Sequence, residues 1–385
     1  MNLEDIRKDI DNIDDRLVPL LKERMNCSLK VAQTKKQQGL PIYHPEREQA
    51  VLDKVSEAGG EFGSYIAAIY REIMGVSREA QQVELTPMGE LAGEIVNAKS
   101  GIKENVTVAC QGIEGAFGSI AAKNLHKTGN IQFYSTFEEV FKAVESDRAV
   151  YGVVPVENSN AGSVMEVYDL ILKYRYYIIS AAELKVNENL LGLPEATLED
   201  IKTVYSHPQA LAQSEEFIKS HGITPVQYSN TAMAAKFVAE KQDKTVGAIG
   251  SALAGQIYGL KVVAPEIQTV KNNSTRFITI SKQLIIPDEA NKVSVVFSVP
   301  HSVGALNRVL NRFCVNGLNL TKIESRAAKN GKFDYLFYLD FSGNLNDRKT
   351  IALISSLAEE LPDFTFLGNY RETVMGSTLV SLIKE

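Results

Sequence analysis

The sequence predicts a multidomain protein that passes through three fold classes in turn: an all-α segment, a two-lobed α/β segment and an α+β segment of order βαββαβ. Three patterns carry that expectation. Apolar residues near the N-terminus recur at alternating spacings of 3 and 4, the mark of a helical seam. Strand-like and helix-like stretches then alternate from residue 105 to 283, as in a mostly parallel sheet. The stretch 291–372 reads strand, helix, strand, strand, helix, strand, the split βαβ order. The boundaries that follow are 1–85, 105–283 and 291–372, with 86–104 as a linker.

The seam consists of Leu3, Ile6, Ile10, Ile13, Leu17 and Leu20, and it continues through Arg24, Cys27 and Val31. It implies a helix of about 35 residues, too long to be stable without a partner. Gly39 and Pro41 stop it. Pro45 then occupies a first helical position, Glu46 to Glu57 follow, and Gly59-Gly60 ends that helix. A third helix is expected from about Ser64 to Gln82, with Ile66, Ile69, Ile73 and Val76 on one face. Pro19 lies inside the first pattern, where proline costs about 3 kcal/mol and kinks a helix. Thr86, Pro87, Gly89, Gly93, Ser100 and Gly101 mark the connector, with room for a short helix.

In the middle segment the strand candidates are Val106–Cys110, Ile131–Ser135, Val150–Val156, Tyr177–Ala181, Thr203–Tyr205, Val246–Ile249 and Phe277–Ile280. Helical patterns fall between them at Thr136–Asp147, Ser163–Lys173, Gln209–Ser220 and Thr231–Lys241. In the last segment the pieces are Val293–Val299, Gly304–Val315, Leu318–Arg326, Phe333–Phe341, Asp347–Leu361 and Thr365–Tyr370.

Composition narrows the function classes. The chain has 385 residues, 44% hydrophobic and 23% charged, enough to bury more than one core. A net charge of -6 provides no global basic field for nucleic acid. No run reaches the roughly 18 apolar residues of a membrane span. The acidic N-terminus does not read as a secretory signal. Cys27, Cys110 and Cys314 are far apart and odd in number, so no disulfide framework or paired metal-ligand spacing is expected. The expectation is a reduced, cytoplasmic protein without metal or cofactor.

The helical segment carries charge where the seam should be apolar. Arg24 occupies a seam position, and Lys35 returns to nearly the same face eleven residues later. The two are about 16 Å apart along the axis, close enough for long side chains to converge on one small anion. Arg7 lies about 25 Å from Arg24 on a straight helix, so it can join that site only from a second copy. The seam itself demands such a copy. Arg47-Glu48 opens the second helix, and Ser77 and Gln81 sit one turn apart on the third.

This arrangement resembles the all-helical chorismate mutase family over residues 1 to about 82, through Arg7, Arg24, Lys35, Arg47-Glu48, Ser77 and Gln81. In that family the first arginine reaches across a dimer. The resemblance implies that Arg7 and Arg24 hold two carboxylates of the substrate. Lys35 and Gln81 would hydrogen-bond its ether oxygen, Glu48 would accept from the ring hydroxyl, and Ser77 would assist. His44 and Arg47 would complete the substrate contacts, His44 standing three residues before the Arg-Glu pair, where the family often places Asp. A [3,3] rearrangement needs no nucleophile or metal. It needs the reactive conformer held fast and donors at the oxygen that gains negative charge.

Three loops in the middle segment follow strands and precede helices: Gln111–Phe117, Glu157–Gly162 and Ser206–Gln209, the last with Ser206 as an N-cap and Pro208 in the first turn. Helix N-termini at strand ends offer free backbone N–H groups to anions. A fourth element, Asn273-Ser274-Thr275-Arg276-Phe277, leads into a strand; Arg276 can bind a carboxylate and Thr275 can hydrogen-bond a leaving hydroxyl. Together these resemble the prephenate dehydratase domain over about 105 to 283. The resemblance implies a type II periplasmic-binding-protein-like fold with the site in the cleft. The reaction would be loss of carbon dioxide and the ring hydroxyl from prephenate, giving phenylpyruvate. Thr275 would have the essential role, and Asn158, Ser159, Ser206, Gln209 and Arg276 would position the substrate. His207 is expected to shape its loop, with general acid as the other reading. One departure is that Gly118 precedes Ser119 where the family commonly has serine directly after the aromatic residue.

The last segment resembles an ACT regulatory domain through Gly304-Ala305-Leu306 and Glu324-Ser325-Arg326, which in the family bind phenylalanine between paired domains; Ala327 stands where the pattern usually has proline. The order mutase, dehydratase, regulator makes chemical sense, because the first product is the second substrate. It implies a bifunctional enzyme of phenylalanine synthesis, a homodimer or higher homo-oligomer, acting on chorismate and prephenate and inhibited by phenylalanine. No nucleic acid or membrane partner is expected. Other readings stay open at this point. Pro19 and His44 allow a dehydratase whose helical part only dimerises or senses. A non-catalytic aromatic-acid sensor is a second alternative, and an arogenate-specific dehydratase is a third.

Overall fold

The computed structural model describes residues 2–40, 43–85, 90–327 and 335–375. Among these, compactness divides the chain into two units. One holds the chain up to Asn97 together with Ser294–Phe366, and the other holds Ala98–Val293 and the chain from Leu367.

The first unit opens with α1, Leu3–Gln38, a helix of 36 residues. Asn2 caps it in a capping box with Asp5, and Gly39, at φ 65°, closes it in the left-handed region. Pro19 lies within α1 rather than ending it. The seam residues Leu3, Ile6, Ile10, Ile13, Leu17 and Leu20 are between 42% and 63% exposed, an unpartnered apolar stripe within one chain. Next come α2, Pro45–Ala58, and α3, Gly63–Leu85. Their corner is tight: a side chain on Gly63 would meet the Ser56 carbonyl oxygen at 2.2 Å, so only glycine lets the two helices approach. A short helix, α4, spans Glu90–Val96 within the expected linker, whose Thr86, Pro87 and Gly89 lie outside the described residues.

The second unit has two lobes. The first is built on β1 (Thr107–Gln111), β2 (Asn130–Tyr134) and β3 (Tyr151–Asn158), with a short β4 (Gly162–Ser163) beside β3. Its helices are α5 (Phe117–Leu125), α6 (Phe137–Glu145) and α7 (Met165–Tyr174). Then β5 (Tyr177–Lys185) leads across to the second lobe and β6 (Asn189–Gly192). That lobe continues through β7 (Thr203–Ser206), α8 (Pro208–Gln213), α9 (Glu215–Ser220) and β8 (Thr224–Gln227). It closes with α10 (Thr231–Lys241), β9 (Val246–Gly250), α11 (Ala252–Ile257) and β10 (Lys261–Ala264). The chain returns through β11, Ser274–Ser281. The first-lobe order is β5-β11-β3-β1-β2 and the second-lobe order is β10-β6-β9-β7-β8.

The expected mostly parallel sheet is corrected in both lobes. The pairs β1–β2, β1–β3, β7–β8 and β7–β9 are parallel, but β11 is antiparallel to both β3 and β5, and β6 is antiparallel to β9 and β10. The chain must leave one lobe and come back, and the strand that enters each lobe from a crossing, β6 or β11, runs against the strands it pairs with. The expected helix Gln209–Ser220 is likewise broken at Ser214, which separates α8 from α9.

The C-terminal stretch follows the order expected of it: β12 (Lys292–Ser298), α12 (Ala305–Val315), β13 (Leu320–Ala327), β14 (Tyr335–Ser342), α13 (Arg348–Glu360) and β15 (Thr365–Met375). Phe333, expected to start the third strand, lies outside the described residues. In the first unit α3 packs against α12 and α13, with the nearly buried Arg312 of α12 paired to the buried Glu79 of α3. In the second unit Arg371–Met375 of β15 pair in parallel with Ser180–Leu184 of β5.

Candidate functional site

The helical part of the first unit gathers its polar residues around α3. Arg24 of α1 donates from Nη1 to Ser77 Oγ at 3.0 Å, and Ser77 Oγ in turn donates to the Ile73 carbonyl at 2.7 Å. The Arg24 guanidinium also stands 6.0 Å from the centre of the Tyr70 ring. Gln81 donates from its amide to Ser28 of α1. Glu48, in the first turn of α2, accepts at both carboxylate oxygens from Nη1 of Arg78. Lys35 is half-buried near the end of α1. His44 is the N-cap of α2, its Nδ1 accepting from the Arg47 backbone N–H at 3.3 Å. The structure therefore brings Arg24, Ser77, Gln81 and Glu48 onto facing helices. Arg7 and Arg47 are exposed, and Arg7 stands several turns before Arg24 on the same unbroken helix.

In the second unit Thr275 sits near the start of β11, opposite Asn158 at the end of β3. The Asn158 side-chain amide donates to Thr275 Oγ1 at 2.9 Å, to Asn273 Oδ1 at 2.9 Å and to the Ser274 carbonyl at 3.1 Å. Its Oδ1 accepts from the backbone N–H groups of Asn160 and Ala161, both at 3.0 Å, which fixes which end of the amide is which. Asn273 then donates to Gln213 Oε1 of α8 at 2.9 Å, joining the first lobe to the second. Asn158, Asn273 and Thr275 are all buried. Ser159 is tied to the same strand: its backbone N–H donates to the Ser274 carbonyl at 2.9 Å, and its Oγ accepts from Ser274 N–H at 3.0 Å.

Other expected residues are placed differently. Ser206 is not the N-cap of α8. It is buried and donates to the Ile249 carbonyl at 2.7 Å, because it is still the last residue of β7. His207 caps instead, accepting from Gln209 N–H at 3.3 Å, which agrees with a loop-shaping role. Arg276 follows Thr275 on a strand, so alternation turns it to the other face, where it stands 3.4 Å from both Glu157 and Glu372. Ser119 is fully buried on α5. The first loop touches the second lobe: Ser251 Oγ donates to the Gly115 carbonyl at 2.7 Å, and Tyr258 OH donates to the Glu114 carbonyl at 2.9 Å.

Residues 6–82 match the chorismate mutase type II family and residues 108–285 match the prephenate dehydratase family. A bifunctional chorismate mutase/prephenate dehydratase of Aquifex aeolicus is 31% identical over 97% of this chain and 99% of its own length. The chain belongs to the bifunctional chorismate mutase/prephenate dehydratase family. It is thereby an enzyme of phenylalanine biosynthesis with an isomerase domain and a lyase domain. An arogenate dehydratase/prephenate dehydratase of Arabidopsis thaliana is 35% identical over 77% of this chain and 81% of its own. Among solved structures, a prephenate dehydratase from Arthrobacter aurescens in complex with L-Phe is 29% identical, covers 69% of this chain and 89% of its own, and superposes with a TM-score of 0.63.

A further cavity, of about 530 Å3, opens at the start of α12 in the first unit of this bifunctional chain. Gly304, Ala305 and Leu306 line it, with the loop before them and Tyr335 and Phe337 of β14. Gly304 is the N-cap at φ 72°, and it leaves the first turn of α12 without a side-chain cap. Glu324, Ser325 and Arg326 lie one strand away on β13, with Ser325 opposite Phe337. Among the described residues no helix is long and apolar enough to cross a membrane.

Sequence reasoning missed Arg78, Ser28, Gln213 and the amide of Asn273. Asn273 carried a usable signal, since it stands two residues before Thr275 in the same Asn-Ser-Thr-Arg-Phe element. The others had none, because their partners are far away in the chain.

Proposed function

We propose that the helical domain, 1–85, rearranges chorismate to prephenate, and that the two-lobed domain, 105–283, decarboxylates and dehydrates prephenate to phenylpyruvate. The bond from Asn158 to Thr275 carries the second half of the reading. A threonine hydroxyl that accepts from a fixed amide is held in place with its own hydrogen left to donate. A buried donor of that kind suits a poor leaving hydroxyl, and aromatisation drives the elimination. Asn158, Ser159, Ser206 and Gln209 frame the site, and Asn158 acts on Thr275 directly. Arg276 lies on the opposite strand face, paired with Glu157 and Glu372 and not turned to a substrate carboxylate. The N-terminus of α5 has no side-chain cap, so its backbone N–H groups can receive a carboxylate.

In the mutase the donors are Arg24, Lys35 and Gln81, with Ser77 steadying Arg24, Glu48 accepting from the ring hydroxyl, and His44 and Arg47 at the α2 start. A Gln81 amide has two hydrogens, so one bond to Ser28 leaves the other for an ether oxygen. The exposed seam and the distance of Arg7 from Arg24 support a homodimer in which each copy lends Arg7 to the other. We further infer that the segment 291–372 is an ACT regulatory domain. Its βαββαβ order and the cavity at Gly304–Leu306 support phenylalanine as a feedback inhibitor, with Glu324, Ser325 and Arg326 completing that site between copies. A cytoplasmic location fits this role. The fused mutase favours prephenate over arogenate as the substrate.

The test is a coupled assay that follows chorismate consumption and phenylpyruvate formation, with and without phenylalanine. Thr275→Ala stops the sequence at prephenate. Arg24→Ala blocks chorismate use and spares added prephenate. If both variants lose both activities while still folded, the division of labour is wrong.

A further inference from the structure

Arg78 follows Ser77 on α3 and precedes Gln81 by three residues. Its Nη1 donates to both oxygens of Glu48, and the two side chains are 25% and 24% exposed. The guanidinium also lies 5.3 Å from the centre of the Tyr43 ring. The contact thus ties the start of α2 to the site-bearing stretch of α3.

The chemistry of the site gives this pair a task. A pocket that receives a dicarboxylate through Arg24 and the Arg7 of a second copy also contains Glu48, whose charge repels the same substrate. Arg78 offsets that charge. It also fixes the carboxylate as an acceptor, and a carboxylate has lone pairs beyond the two that Arg78 occupies. We propose that Arg78 is a positioning residue of the mutase: it holds Glu48 as a charge-compensated acceptor for the ring hydroxyl of the bound dicarboxylate. This rests on the mutase reading above, and Arg78 acts through Glu48 rather than on the reacting atoms.

The test uses the full chain as wild type, Arg78→Met, Arg78→Lys, Glu48→Gln and the double variant Arg78→Met/Glu48→Gln. Chorismate consumption is the readout, while far-UV dichroism and turnover of added prephenate report folding. Arg78→Met lowers kcat/KM for chorismate roughly 10- to 100-fold, as loss of a charged hydrogen bond does. Arg78→Lys recovers most of it, because a single nitrogen makes both contacts in the native pair. In the Glu48→Gln background Arg78→Met costs little more, since the residue through which it acts is already gone. An Arg78→Met chain as active as wild type overturns the proposal, and so do losses that simply multiply in the double variant. If Arg78→Met loses helical signal, Arg78→Lys decides: a folded Lys variant with restored turnover supports the role, and one without it overturns it. Wild-type chain that consumes no chorismate refutes the mutase reading itself, and the role of Arg78 with it.

Discussion

Glu188 gives the sharpest test of how the two lobes are joined. It lies in the crossing from β5 to β6, where its backbone N–H donates to Gln268 Oε1 at 3.0 Å and its carbonyl accepts from Ile267 N–H at 2.8 Å. Both partners belong to the return crossing, so the two connections run side by side. The Glu188 side chain is buried, and its Oε2 has no hydrogen-bond partner among the described residues. Burial pushes its pKa up from the ordinary 4.5 to about 8. The native state therefore favours the neutral acid, whereas the unfolded chain ionises freely above pH 4.5. The stability of the acid form is fully present below that value and is lost progressively as pH rises towards 8. At about 1.4 kcal/mol per pH unit the loss is roughly 3 kcal/mol at neutral pH and roughly 5 kcal/mol when complete.

Glu188→Gln keeps the size and removes the titration. The buried amide adds its own offset of about 1–3 kcal/mol from unsatisfied donors, but that offset does not change with pH. The expected result is that the variant gains on wild type steadily between pH 5 and 8.5. Urea unfolding at several pH values measures this. The chain has no Trp and 15 Tyr, so tyrosine fluorescence and far-UV dichroism are the probes. Loss of prephenate turnover identifies the transition that belongs to the two-lobed unit. A stability difference that stays flat from pH 5 to 8.5 refutes the reasoning, because it means that the carboxyl is paired or hydrated in the native state.

Two further outcomes follow from other parts of the structure. Asn158→Ala removes the donor that holds Thr275 and leaves prephenate turnover about 100-fold lower, with chorismate consumption unchanged; assaying the two steps separately checks it. Arg312→Ala leaves Glu79 buried with only Asn316 among the described residues donating to it, and destabilises the first unit by about 3–5 kcal/mol. The thermal inactivation midpoint of chorismate turnover reports that loss, and adding Glu79→Gln to the variant restores part of it.

Much of the architecture was legible from local patterning. The alternating spacings that build α1, the strand–helix rhythm of the middle and the βαββαβ order at the end all survive, because each records which face of a single element is apolar. The misreadings occur where the deciding partner lies elsewhere in the chain. Ser206 has the residue type and position of a helix cap, yet Ile249 of the neighbouring strand claims its hydroxyl. The strands β6, β8 and β10 are four residues each, too short to show a period. Lys185–Asn189 falls between the expected strands Tyr177–Ala181 and Thr203–Tyr205, and only the paired crossing reveals that Glu188 is buried.

What the sequence alone determined is most of the elements and the candidate residues, among them Thr275, Arg24 and Glu48. Periodicity and residue type are properties of a few neighbouring positions. What only the tertiary structure decided is which atoms meet. Thr275 is oriented by Asn158 across 117 positions of chain, and Glu48 is held by Arg78 across 30. A hydrogen bond depends on distance and angle in space, and neither is written along the chain until the strands pair and the helices turn their corner at Gly63.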